Sequence, residues 1–153
     1  MKQACLFWVI PMFANILVAL DGSPAGHIAL ERAVDMARAG TAKLHAVYVV
    51  ETGLFSSIPA DNTVEIMYNV LKQEGESVLE KAKTESAARG ITLTTHLKFG
   101  HAGSEILALA ESTKADLIVV GSHGKSQADR LLIGSVSTFI VTHSTASTMV
   151  VRS

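Results

Sequence analysis

A chain of 153 residues is long enough to form one domain with a substantial core. Hydrophobic residues make up 48% of it and charged residues 18%, a balance that excludes intrinsic disorder. Thirteen basic residues against fourteen acidic ones leave no strong field for nucleic acid or an anionic membrane, and the single cysteine, Cys5, excludes an internal disulfide or a multi-cysteine metal site. One cysteine fits a reducing, cytoplasmic setting.

The chain opens on "ACLFWVIPMFANILVAL", an apolar stretch. Pro11 interrupts it and no small-x-small cleavage site precedes a mature start, so a secretory signal is not expected. It is also shorter than the roughly 20 residues of a membrane span. The expectation is an apolar extension over residues 1–11, ahead of a domain over 12–153.

"NILVAL" (15–20) is a continuous apolar run of the kind found in strands covered on both faces. Asp21-Gly22-Ser23-Pro24 stops it, with Ser23 placed to cap a helix and Pro24 suited to the first turn. From Ala25 to Ala39, Ile28, Ala29, Ala33, Met36 and Ala37 recur at helical spacing, and Gly40 is the expected stop. "KLHAVYVV" (43–50) reads as a second strand, residues 51–60 as a loop, and 61–89 as a long helix with Gly75 weakening its middle. "TLTTHLKF" (92–99) alternates in part, which suits an edge strand. "SEILALAEST" predicts a helix capped by Ser104, "DLIVV" (116–120) a buried strand, 135–143 a helix and "TMVVR" (148–152) a last strand.

Five alternations of strand and helix predict an α/β fold: a single Rossmann-like domain with a five-stranded parallel sheet and helices on both faces. In such sheets ligands bind beyond the carboxyl ends of the strands, where the strand order reverses. Both loops of unusual composition, 21–24 and 121–134, fall at such ends.

The second of them, "GSHGKSQADRLLIGSVS" (121–137), carries Gly121, Gly124 and Gly134. Glycines let backbone amides approach a ligand, and amides at a helix start suit phosphate oxygens. Gly134-Ser135-Val136-Ser137 opens a helix with amides and two hydroxyls on offer. "GKS" at 124–126 is not a Walker A loop, because Val119 stands where glycine is required, and G-x-G-x-x-G is absent. An ordinary strand-to-helix turn is the alternative reading. For Asp21 the alternatives are a ribose partner or a helix cap; for Ser135, a cap or a phosphate ligand; for His123, a phosphate contact or an exposed loop residue. Lys125 and Arg130 are placed to neutralise phosphate or to be solvated surface charges. Histidines 27, 45, 96, 101 and 143 show no spacing suited to a shared metal site.

"NILVALDGSPAGHIALERAVDMA" together with "ADLIVVGSHGKSQADRLLIGSVS" closely resembles the universal stress protein A family over residues 12–152. The pattern G-x2-G-x9-G-[S/T] of its ATP-binding branch is matched without gaps by Gly121, Gly124, Gly134 and Ser135. The resemblance implies ATP between the two loops and a homodimer through the last strand. It places Ala19, Leu20 and Asp21 at the ribose and adenine edge, and Val49 where backbone groups meet adenine. Gly121, His123 and Gly124 then fall on the ribose and phosphate loop, with Gly134, Ser135, Val136 and Ser137 at the phosphate-binding helix start. Two departures stand out. Ser147-Thr148 replaces a Cys-Pro-like pair, and Ala102 replaces a proline.

Magnesium is a candidate bridge between ATP phosphates, although no acidic pair marks a dedicated site. No evident general base or arginine finger is pre-placed for phosphoryl transfer. The reading is a nucleotide-sensing dimer of the stress response, with a slow ATPase or another ATP-using enzyme on this fold as the alternative.

Overall fold

A computed structural model of the chain describes residues 12–59, 61–124 and 133–153. Strand β1 (Asn15–Leu20) leads to helix α1 (Pro24–Gly40), β2 (Lys43–Glu51), α2 (Asn62–Ala88), β3 (Leu93–Gly100), α3 (Ala102–Ser112), β4 (Leu117–Gly121), α4 (Ser135–His143) and β5 (Ser147–Val151). The extension expected at 1–11, and Lys125 and Arg130, lie outside the described residues. All neighbouring strands pair in parallel, in the order β3-β2-β1-β4-β5.

Successive side chains of a strand point to opposite faces, and β1 buries both. Ile16, Val18 and Leu20 pack with Ala29, Leu30, Ala33 and Val34 of α1 and with Leu79 and Ala82 of α2. Leu17 packs on the other side with Ile106, Leu109 and Ala110 of α3 and Ile140 of α4. β4 divides in the same way, Leu117 and Val119 against Ile118 and Val120. This two-sided burial is why both strands read as unbroken apolar runs. β3, with its mixed pattern, is an edge. Among the described residues, no helix is long and apolar enough to cross a membrane.

Ser23 caps α1 as expected, its Oγ accepting the Gly26 amide at 3.1 Å, and Pro24 lies in the first turn. Other boundaries differ from expectation. Gly40 is the last helical residue, and Thr41 takes the left-handed cap at φ 57°. The stretch 51–60, read as loop, contains the end of β2 and a 3-10 turn at Thr52–Phe55. Helix α3 is capped by His101 rather than Ser104: His101 Nδ1 accepts the Ser104 amide at 3.3 Å. Glu51 Oε2 accepts the Ala102 amide at 2.9 Å and ties the same helix start to β2. An imidazole nitrogen and a carboxylate here do the work usually given to serine.

Gly75 is buried where α2 crosses the sheet. A Cβ at this position would stand 2.6 Å from Tyr48 Cδ1 and 2.8 Å from Leu97 Cδ1, so close packing keeps it glycine. Helix propensity alone predicts that Gly75→Ala stabilises the protein by about 1 kcal/mol. Packing should win, with a net loss of about 1–2 kcal/mol in urea unfolding. A more stable variant would contradict the packing.

Candidate functional site

β2 and β3 extend to one side of β1, and β4 and β5 to the other, so the strand order reverses between β1 and β4. Beyond the carboxyl ends of these two strands lies a cavity of about 350 Å³. That volume is within the range of roughly 300–1,000 Å³ common to small-molecule sites.

All eleven residues expected to hold a ligand border this cavity: Ala19, Leu20 and Asp21 from β1 and its loop, Val49 from β2, Gly121, His123 and Gly124 after β4, and Gly134, Ser135, Val136 and Ser137 at the start of α4. Val47, Ala102, Ile106, Val120 and Ile133 also line it, as do Ser23 and Gly26. Val47 was legible in principle, two positions before Val49 and thus on the same face of β2. Ile106 was not, because only tertiary packing carries α3 over the sheet. The cavity therefore has two characters. Ala19, Val47, Val49, Ile106 and Val120 make an apolar end, and the two glycine-bearing loops make a polar one.

The polar end is built on the start of α4. Gly134 N donates to Ser122 O at 2.7 Å, and Ser137 Oγ donates to Gly121 O at 2.6 Å, so the first turn is clamped to the end of β4. The cap residue is Gly134 itself, which has no side chain with which to accept a hydrogen bond. Ser135 is the first helical residue and not the cap that one reading assigned to it. Among the described residues, the early amides of α4 thus have no carbonyl partner within the helix and no capping oxygen, which is the arrangement that receives anions.

Gly134 has φ −60°, available to any residue, and a Cβ there would make only an ordinary contact, 3.4 Å from Ser122 O. Neither conformation nor packing requires glycine at 134. Gly121 is different. A Cβ there would lie 2.8 Å from the carbonyl carbon of Ala25 and 2.9 Å from Gly26 N. Gly121 borders the cavity, and its lack of a side chain is required by the close approach of the α1 backbone.

Of the two roles weighed for Asp21, the helix cap falls to Ser23 instead. Asp21 Oδ1 accepts the Ser23 amide at 2.9 Å and shapes the turn into α1, with Gly22 at φ 80°. Its Oδ2 accepts no hydrogen bond from the described residues and faces Gly124, where a Cβ would approach to 3.1 Å. Ser23 Oγ also reaches His123 O at 3.4 Å, joining the two loops.

The remaining histidines lie elsewhere. His45 and His96 meet at 3.0 Å on neighbouring strands, and both are held below the usual histidine range. Burial is the main cause for each, reinforced by Lys43 for His45, and by His45 and Lys98 for His96. His27 pairs with Glu31 and Glu85, and His143 stacks on Phe139. Among the described residues, no group of three or more His, Cys, Asp or Glu could hold a metal ion.

The two glycines should separate by mutation. Gly121→Ala should lower stability by about 1–3 kcal/mol, because backbone of α1 must move. Gly134→Ala should stay within about 0.5 kcal/mol of wild type. Urea unfolding of the two variants checks this, and equal losses would contradict the distinction.

Comparison with known proteins agrees with this architecture. The model of the universal stress protein family matches residues 12–152. The chain is 33% identical over 141 residues to universal stress protein MJ0531 of Methanocaldococcus jannaschii, covering 92% of this chain and 83% of that one. It superposes on universal stress protein UspA from Lactobacillus plantarum with a TM-score of 0.84 at 26% identity, covering 91% and 97% of the two chains. A universal stress protein solved in complex with cAMP matches with a TM-score of 0.69 at 28% identity, again covering 91% and 97%. With nearly the whole described chain spanned by that model and these relatives, the protein belongs to the universal stress protein family.

Proposed function

We propose that this protein binds ATP in the cavity between β1 and β4 and acts as a nucleotide-sensing dimer in the stress response. The observation that carries the reading is the start of α4: a glycine-capped helix end clamped beside Gly124, where the fold itself does not require glycine at 134. A phosphate fits the early amides of α4. The apolar end suits a planar base, and Asp21 Oδ2 is an acceptor for a ribose hydroxyl. The cAMP complex of a relative supports an adenine nucleotide as the ligand class.

The reading of sensing rather than turnover is supported by the amides and glycines that, among the described residues, surround the phosphate end. Amides and glycines stabilise charge but do not activate water. If ATP binds only the folded state, a hundredfold excess over its dissociation constant should add about 2.7 kcal/mol of stability. The melting temperature should rise with ATP, less in Asp21→Ala and not at all in Gly134→Val, whose branched side chain enters the phosphate space. Phosphate release in the same samples should stay far below the common enzyme range of roughly 1–1000 per second. Fast release that depends on His123 would favour an ATP-hydrolysing enzyme instead.

The dimer reading rests on β5, which ends the sheet with Thr148, Met149 and Val150 only partly covered. Light scattering at micromolar concentration should give twice the chain mass, and deletion of 148–153 should give monomer or aggregate. A wild-type monomer would overturn this part.

A further inference from the structure

Along β2, Val47, Val49 and Glu51 alternate with Tyr48 and Val50, so the first three belong to the face covered by α3 and α4. Val47 and Val49 border the cavity. Glu51 ends the strand, and its Oε2 accepts the Ala102 amide at 2.9 Å. Register makes that contact possible. Gly100, the last residue of β3, pairs with Glu51, and its φ of 140° turns the chain directly into α3. The amide of the first helical residue is thereby brought to the end of β2.

Ala102 and Ile106, one turn apart on α3, both border the cavity. The residue that Glu51 grips is therefore part of the α3 wall, while Glu51 itself continues the β2 wall. A carboxylate at a helix start also gains from the positive end of the helix dipole. On the other side, α4 packs against α3 through Phe139, whose Cδ1 would stand 2.4 Å from a Cβ at Gly103. The start of α3 is thus held from α4 by packing and from β2 by a hydrogen bond.

We propose that Glu51 is a positioning residue for the nucleotide site: by holding Ala102 it sets the spacing of the α3 and β2 walls, and with it the room for a purine base. This rests on the nucleotide-binding reading and deepens it at the apolar end. A larger base touches more of both walls, so it loses more when they part. The phosphates, seated at the start of α4, should not feel the change. Ala102 also gains a role where the sequence departs from a proline, because proline has no N–H to donate.

Calorimetric titration of the full chain with ATP and with CTP separates the two ends, because these nucleotides share ribose and phosphates. Wild type should prefer ATP. Glu51→Ala should weaken ATP binding about three- to tenfold, in keeping with one lost hydrogen bond, and CTP binding by less than about twofold. Ala102→Pro should do the same by removing only the donor. Proline suits a first helical position, and His101, at φ −80° and ψ 121°, already has the extended backbone that a following proline requires. Glu51→Gln keeps an acceptor oxygen and should restore a preference close to that of wild type. If Glu51→Ala does not fold, Ala102→Pro and Glu51→Gln still decide. An equal loss for both nucleotides, no loss for either, or a wild type that does not distinguish them overturns the proposal and leaves nucleotide binding standing. A wild-type chain that binds neither overturns the nucleotide reading, and the role of Glu51 in it.

Discussion

Two short hydrogen bonds hold the candidate site together: Gly134 N to Ser122 O and Ser137 Oγ to Gly121 O. They seat the first turn of α4 against the end of β4 without spending the helix's early amides on the protein's own groups. A serine or aspartate at 134 would be the usual way to satisfy such amides, and glycine declines to do so. What remains is a concentration of partial positive charge facing a concave wall, in a protein of nearly balanced formal charge. The rest of the site follows from that seat, since Gly124, His123 and Asp21 are all placed by loops that meet it.

The sheet supplies the second constraint. Because β2 and β4 lie on opposite sides of β1, the helices that follow β1 and β4 go to opposite faces and their connecting loops part. The opening is polar where loop backbone lines it and apolar where Val47, Val49 and Val120 reach the edge of the core. A nucleotide has the same division, base at one end and phosphate at the other. Neither half of the cavity alone would argue for such a ligand, because apolar grooves and helix starts are both common. Their meeting at the reversal of strand order is the informative feature.

Much of this was legible in the residues. β1 has the bounds that its apolar run implied, and the loops after β1 and β4 sit where turn residues interrupt those runs. Local signals sufficed there because each depends on neighbours in sequence. What stayed hidden depends on neighbours in space. Gly121 reads like Gly134 in the sequence, yet a Cβ at 121 would strike the backbone of α1 while one at 134 would make only an ordinary contact. Gly75 reads as a weak point in a helix, and only Tyr48 and Leu97 across the interface explain it. The cap of α3 by His101 was missed because a serine three residues later offered a more familiar signal. Ile106 enters the site from a helix whose sequence says only that one face is apolar.

In the proposed complex a phosphate-bearing nucleotide sits against the glycine-capped start of α4. Titrating ATP into ¹⁵N-labelled protein and following each backbone amide tests it most directly. The amides of Gly124, Ser135 and Val136 should move most and saturate together, with smaller changes at Val49 and around Asp21. Changes centred on the His45 and His96 side of the sheet, or none at saturating ATP, would contradict it.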